Sequence, residues 1–128
     1  MDDDTPRSAT VTATAYAGTF PGRADQIRRV RREVGEYLAH CPAQEDAVLV
    51  VSELAANAVL HARAGTFTVR AERHDTWVHV EVQDAGGAWG TPEPDGRPHG
   101  LDLVALLART WGTRLSPAGR VVWARVDI

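Results

Sequence analysis

Glu53, Asn57 and His61 stand four residues apart. On a helix that spacing puts all three side chains on one face, with about 6 Å of rise from each to the next. The surrounding run AVLVVSELAANAVL is otherwise almost wholly apolar. A carboxylate and a carboxamide set into such a helix are costly to bury without partners. Either they pair internally or they line a pocket. Asp84 ends a β-like segment and is followed by Ala85, Gly86 and Gly87. The glycines let backbone come close to a ligand while the carboxylate points into the space beyond the strand. Further on, Gly100 directly precedes a helical pattern, and the free N–H groups of a helix start can receive an anion. Each feature alone is also ordinary structure: a polar edge, a tight turn, a glycine before a helix. Their order along the chain is what points to a ligand site.

These residues must be held by a scaffold of short elements. Ala9 to Tyr16 alternates, with Val11, Ala13 and Ala15 on one face, and predicts a half-buried strand that the turn GTFPGR then interrupts. From Ala24 to His40 the residues Ile27, Val30, Val34, Tyr37 and Leu38 recur at helical steps. The arginines on the other side, Arg28, Arg29, Arg31 and Arg32, read as a solvated face offset by Asp25, Glu33 and Glu36. A second helix opens at Pro42, favoured by Glu45 and Asp46 near its positive end, and runs to about Ala62. Being apolar nearly all round, it is expected between a sheet and neighbouring structure.

Two strands follow, Thr66 to Arg73 with Phe67, Val69 and Ala71 inward, and Trp77 to Asp84 with Val78, Val80 and Val82 inward, joined by a hairpin. The stretch DAGGAWGTPEPDGRPHG is too rich in glycine and proline for regular structure, and a loop of that length usually serves as a lid or binding loop. Leu101 to Thr110 reads as a short helix with Leu101, Val104, Ala105 and Ala108 along one stripe. Thr113 to Ser116 and Arg120 to Asp127 form a final hairpin across PAG. Strand hairpins mixed with three helices predict an α+β two-layer sandwich, a mostly antiparallel mixed sheet with helices on one face.

Composition narrows the chemistry. The chain has 128 residues, enough for one domain with its own core. All 14 basic residues are arginine. Without lysine, a Walker A phosphate loop and Schiff-base catalysis are both excluded. The net charge of −3 equals the contribution of Asp2, Asp3 and Asp4, so the rest of the chain is formally neutral. A neutral body argues against nonspecific binding of nucleic acid. The single cysteine, Cys41, allows neither an internal disulfide nor a multi-cysteine zinc site. The start MDDDTPRSAT lacks the basic and apolar pattern of an export signal, and no window approaches a membrane span. The expectation is a soluble, cytoplasmic protein.

Three motifs together resemble the N, G1 and G2 boxes of the GHKL ATPase superfamily: ExxxNAxxHA (Glu53, Asn57, Ala58, His61, Ala62), DxGG (Asp84, Gly86, Gly87) and HGLDLV (His99 to Val104). Within that superfamily, the short chain and the closing WG...VVWA pattern resemble the small bacterial anti-sigma-factor serine/threonine kinases. The resemblance implies a Bergerat, or histidine-kinase-like, ATPase fold over residues 9–128, preceded by a disordered acidic tail, 1–8. It implies ATP and Mg²⁺ as cofactors, with Asn57 as metal ligand and Glu53 as general base on the attacking hydroxyl. Asp84 would accept a hydrogen bond from the adenine amino group, with Gly86 and Gly87 leaving room for the ring. Gly100 and Leu101, opening the third helix, would hold phosphate oxygens, and Arg97 and His99 are the nearest cations for the phosphates.

The partners it implies are a sigma factor and an anti-anti-sigma protein of the STAS type, with dimerisation typical of the family and neither nucleic acid nor membrane bound directly. The chain also departs from the pattern. Ala88 and Pro98 stand where the boxes usually have glycine, and Val121 where a threonine usually stands beside the adenine-binding aspartate. The reading is therefore a kinase that sequesters a sigma factor and phosphorylates its antagonist. The alternative is a catalytically weak or inactive nucleotide-binding module that acts through protein binding.

Overall fold

The computed structural model describes residues 9–11, 15–61, 65–84 and 101–128. Six strands form one sheet: β1 (Ala9–Val11), β2 (Ala15–Pro21), β3 (Thr66–Arg73), β4 (Trp77–Asp84), β5 (Thr110–Ser116) and β6 (Gly119–Asp127). Their order is β1-β2-β3-β4-β6-β5, and every pairing is antiparallel, so the described sheet contains no parallel pair. Three helices, α1 (Ile27–Tyr37), α2 (Gln44–His61) and α3 (Leu101–Leu107), pack over its inner face. This is the expected α+β two-layer arrangement. None of these helices is long and apolar enough to cross a membrane.

The central strands follow the alternation read from sequence. Phe67, Val69 and Ala71 of β3, Val78, Val80 and Val82 of β4, and Val122, Ala124 and Val126 of β6 are all buried. They meet Ala47, Val50, Val51, Leu54, Ala55 and Ala58 of α2, while Val30, Val34 and Leu38 close the core from the α1 side. Each fully buried valine, leucine or phenylalanine among them contributes about 1.5–3 kcal/mol. Two cross-links hold α1 in place. Gln44 Nε2 donates to the Gly35 carbonyl at 2.8 Å, and the Arg73 backbone N–H donates to the Tyr37 hydroxyl at 3.0 Å.

The N-terminal strand differs from expectation. The chain is strand from Ala15 through Pro21, so the GTFP segment continues β2 instead of turning, and the inward residues are Tyr16, Gly18 and Phe20 rather than Ala15. Aromatic burial decides the parity. Phe20 stacks on Phe67 with centroids 5.6 Å apart, and the Tyr16 hydroxyl donates to Glu33 Oε1 at 2.6 Å. Gly18 is required because a Cβ there would overlap the Tyr16 hydroxyl. Pro21 is tolerated as the last residue of the strand. Burial pushes the Glu33 carboxyl upward, but its hydrogen bonds from Tyr16 and Arg29 outweigh that and hold it below the usual range. Burial, with Glu33 alongside, pushes the Tyr16 hydroxyl up.

Other boundaries shift by a few residues. A 3₁₀ turn, Ala24–Gln26, precedes α1, and α1 stops at Tyr37. Pro42 lies in the turn before α2, which begins at Gln44. The α3 helix ends at Leu107 because β5 begins at Thr110, earlier than expected, to pair with Arg125. Ala105 is exposed, and the inward stripe is Leu101, Val104, Leu107 and Ala108. Nor is α2 buried all round, since Leu60 is 59% exposed.

On the outer face of the sheet, Glu81 is 8% exposed yet fully engaged. His79 Nε2 lies 3.0 Å from one carboxylate oxygen and Arg114 3.3 Å from the same atom, while Arg70 lies 3.6 Å from the other. The hydrogen bond from His79 and the charge of Arg114 outweigh burial and hold the Glu81 carboxyl below its ordinary value.

Candidate functional site

The α2 helix positions the central residues. Its inward face is taken by the alanines, valines and Leu54 that pack on β3, β4 and β6, leaving Glu53 and Asn57 on one flank, a turn apart. Glu53 is half-buried. Asn57 is only 2% exposed, and among the described residues neither its amide nitrogen nor its carbonyl oxygen has a hydrogen-bond partner. A native core seldom leaves a carboxamide in that state, because the lost hydration is not replaced. The internal pair that the sequence leaves open is therefore not formed by Asn57. His61 is the last residue of α2, and its side chain lies outside the described residues.

Asp84 is the last residue of β4 and is 1% exposed. By alternation it shares the helix-facing side of the strand with Val80 and Val82. It pairs in register with Phe67 on β3 and Arg120 on β6. The link 62–65 joins the end of α2 to Thr66, next to Phe67, so the end of α2 that carries Asn57 lies at the same edge of the sheet as Asp84. The first residue of α3, Leu101, is 4% exposed, and α3 packs beside α2. The structure thus gathers Asn57 and Asp84 at one end of the helix–sheet layer, with Glu53 one turn further along α2.

Gly86, Gly87, Ala88, Arg97, Pro98, His99 and Gly100 lie outside the described residues. Val121 is buried but stands opposite Gln83, on the other face of the sheet from Asp84. The residue across from Asp84 is Arg120, whose Nε is buried. Sequence reading passed over Arg120, although counting the register back from the PAG turn would have found it. Among the described residues no group of three or more His, Cys, Asp or Glu side chains is placed to hold a metal ion. A hard cation here would take the Asn57 oxygen together with phosphate oxygens and water, the way Mg²⁺ commonly sits between protein and nucleotide. The unpartnered carboxamide fits that role.

The family model for the histidine kinase-like ATPase domain matches residues 20–126, spanning α1, α2, the four strands after them and α3. The chain belongs to this family. Membership of a histidine kinase-like ATPase family implies ATP binding, usually with Mg²⁺. No curated protein matches the chain.

Proposed function

We propose that this ATPase domain is a serine/threonine protein kinase of the anti-sigma-factor type, one that binds a sigma factor and phosphorylates a STAS-type anti-anti-sigma protein. The observation that carries the reading is Asn57, a buried carboxamide with both polar atoms unpartnered on the flank of α2 that also bears Glu53. The Asn57 oxygen is offered to Mg²⁺. The metal supplies charge neutralisation to the phosphates when bound.

Glu53 remains accessible enough to reach a hydroxyl of a docked protein. It accepts the proton as the serine or threonine oxygen bonds to the γ-phosphorus, the bond to the β–γ bridging oxygen breaks, and ADP departs. Positioning contributes most of the rate in such transfers, so Glu53 needs no unusual basicity. Asp84, buried at the strand end, accepts a hydrogen bond from the adenine amino group. Gly86 and Gly87 admit the ring, and Gly100, Leu101, Arg97 and His99 hold phosphate oxygens.

The test is transfer of label from γ-³²P-ATP, with Mg²⁺, to a STAS-domain protein from the same genome. Labelled serine or threonine, lost in Glu53→Ala, supports the kinase. Full transfer by Glu53→Ala refutes the assigned base. A second reading, a nucleotide-binding module without turnover, rests on Ala88 and Pro98, which stand where the motifs usually have glycine. Calorimetric ATP binding with no transfer to any such protein selects it.

A further inference from the structure

We propose that β5 is a self-pairing edge, through which two copies of this chain join antiparallel about a two-fold axis at Thr113 and continue their sheets into one. The strand is outermost in the sheet: it pairs with β6 on one side, and among the described residues no strand pairs with it on the other. An open edge is a row of N–H and C=O groups ready to take a further strand, and proteins commonly blunt it with proline, lysine or shortness. None of these devices is present in β5. Its 7 residues, TWGTRLS, include neither proline nor lysine, whereas β1 at the opposite edge has only 3 residues.

The ladder with β6 decides which groups of β5 are free. The Arg125 carbonyl faces β5, where it accepts the Arg109 N–H at 2.7 Å. Arg125 stands opposite Thr110, so by antiparallel alternation Thr110, Gly112, Arg114 and Ser116 turn their N–H and C=O groups to β6. Trp111, Thr113 and Leu115 turn theirs outward. Opposite Ala124, Val122 and Arg120, the same three residues carry their side chains on the helix-facing side of the sheet. The helical layer leaves them uncovered, since Trp111 is 36% and Leu115 69% exposed.

The residues on either side of Thr113 complement one another. When β5 is laid antiparallel on a second β5 with Thr113 facing Thr113, Trp111 meets the partner's Leu115, Thr110 meets the partner's Ser116 and Gly112 meets the partner's Arg114. The outward N–H and C=O groups of Trp111, Thr113 and Leu115 all find partners in that register. Aromatic–aliphatic pairs then form twice on one face, as a two-fold axis requires. Gly112 serves the other face. Trp123 packs so closely over it that a Cβ would lie 3.1 Å from the ring, so the partner's Arg114 meets no opposing side chain and comes beside the indole of Trp123. A slip centred on Arg114 would set two guanidinium groups face to face, and one centred on Gly112 would leave Leu115 without its tryptophan. The match of the strand with its own reverse selects a second copy as the occupant.

This pairing uses none of Glu53, Asn57 and Asp84 and needs no nucleotide. Failure of phosphotransfer therefore leaves it standing, and the reverse also holds.

The test is analytical ultracentrifugation of the full chain without nucleotide from about 5 to 500 µM, the range suited to an interface as small as one strand pair. The expected result is a monomer–dimer equilibrium. Leu115→Glu, a change at an exposed position, should weaken the dimer about tenfold or more while leaving the melting temperature of the dilute chain unchanged. Thr113→Cys should give a covalent dimer on oxidation, since directly opposed Cα atoms lie about 5.5 Å apart, within disulfide reach. Thr110→Cys should not, because in this register the two copies of residue 110 are separated by six residue steps, roughly 20 Å. The native Cys41 is buried. A monomer at every concentration, a dimer indifferent to Leu115→Glu, no cross-link through Thr113→Cys, or equal cross-linking at both positions overturns the proposal.

Discussion

Replacing Asn57 by leucine separates what the side chain does for the fold from what it does for nucleotide. The two side chains branch alike at Cγ, so the substitution swaps the unpartnered amide nitrogen and oxygen for methyl groups with little change of shape. An unsatisfied buried polar group costs about 1–3 kcal/mol, and some of the gain from removing two is spent on fitting the slightly larger methyls. A net gain of about 2 kcal/mol follows for the nucleotide-free protein. In a chain of 128 residues, 1 kcal/mol moves the melting temperature by roughly 3–5 °C, so Asn57→Leu should melt roughly 6–10 °C above wild type.

Nucleotide reverses the comparison. At about 100 times its dissociation constant, Mg-ATP stabilises a protein that binds it by about 2.7 kcal/mol, and the wild type should rise accordingly while the variant stays where it was. Differential scanning fluorimetry with and without Mg-ATP reads both effects. If the nucleotide-free variant melts below wild type, Asn57 has partners and its burial is structural. If the variant rises with Mg-ATP as wild type does, the amide is not part of the nucleotide site.

Gly18→Ala should cost about 1–3 kcal/mol, because the new Cβ displaces the buried Tyr16 hydroxyl from Glu33. In a Tyr16→Phe background the same change should cost clearly less, and equal costs in a double-mutant cycle by urea denaturation would falsify the clash. Glu81→Gln should destabilise by about 1–2 kcal/mol at neutral pH, since Glu81 loses charged hydrogen bonds while Arg70 and Arg114 stay half-solvated. Its folded pKa is depressed, so that contribution is full well above the ordinary value of 4.5 and drains away as pH falls through 4.5 toward the lower native value. Stability curves of the two proteins should therefore converge once the pH is below that depressed native value, and a constant gap refutes the assignment. Leu54→Ala, at the centre of the α2–sheet contact, should cost about 2–5 kcal/mol by equilibrium unfolding.

Periodicity carried most of the scaffold. The strands Thr66–Arg73 and Trp77–Asp84, with their inward residues, were legible because alternate positions hold valine, alanine or phenylalanine and the hairpin is local. The N-terminal strand was not. There both faces carry small residues, and the parity is set by Phe67 and Glu33, which lie far away in the chain. The candidate site was legible in its residue types, since a glutamate and an asparagine interrupt an apolar helix. Sequence spacing does not say whether such groups bond to each other, whereas the packed structure shows Asn57 without a partner among the described residues. The offset of the α1 arginines was legible because it is local: Glu33 pairs with Arg29 one turn away on α1, while its bond from Tyr16 comes from distant sequence.

The amino-acid order by itself determined the two-layer class, the separation of inward from outward residues on most elements, and the family resemblance, because these depend on local periodicity and short motifs. Only the tertiary structure decided which polar groups are left over once the chain has packed. Satisfaction of a hydrogen bond or a charge depends on neighbours that arrive from distant sequence. That is why the amide of Asn57, unpartnered among the described residues, became visible only in the fold.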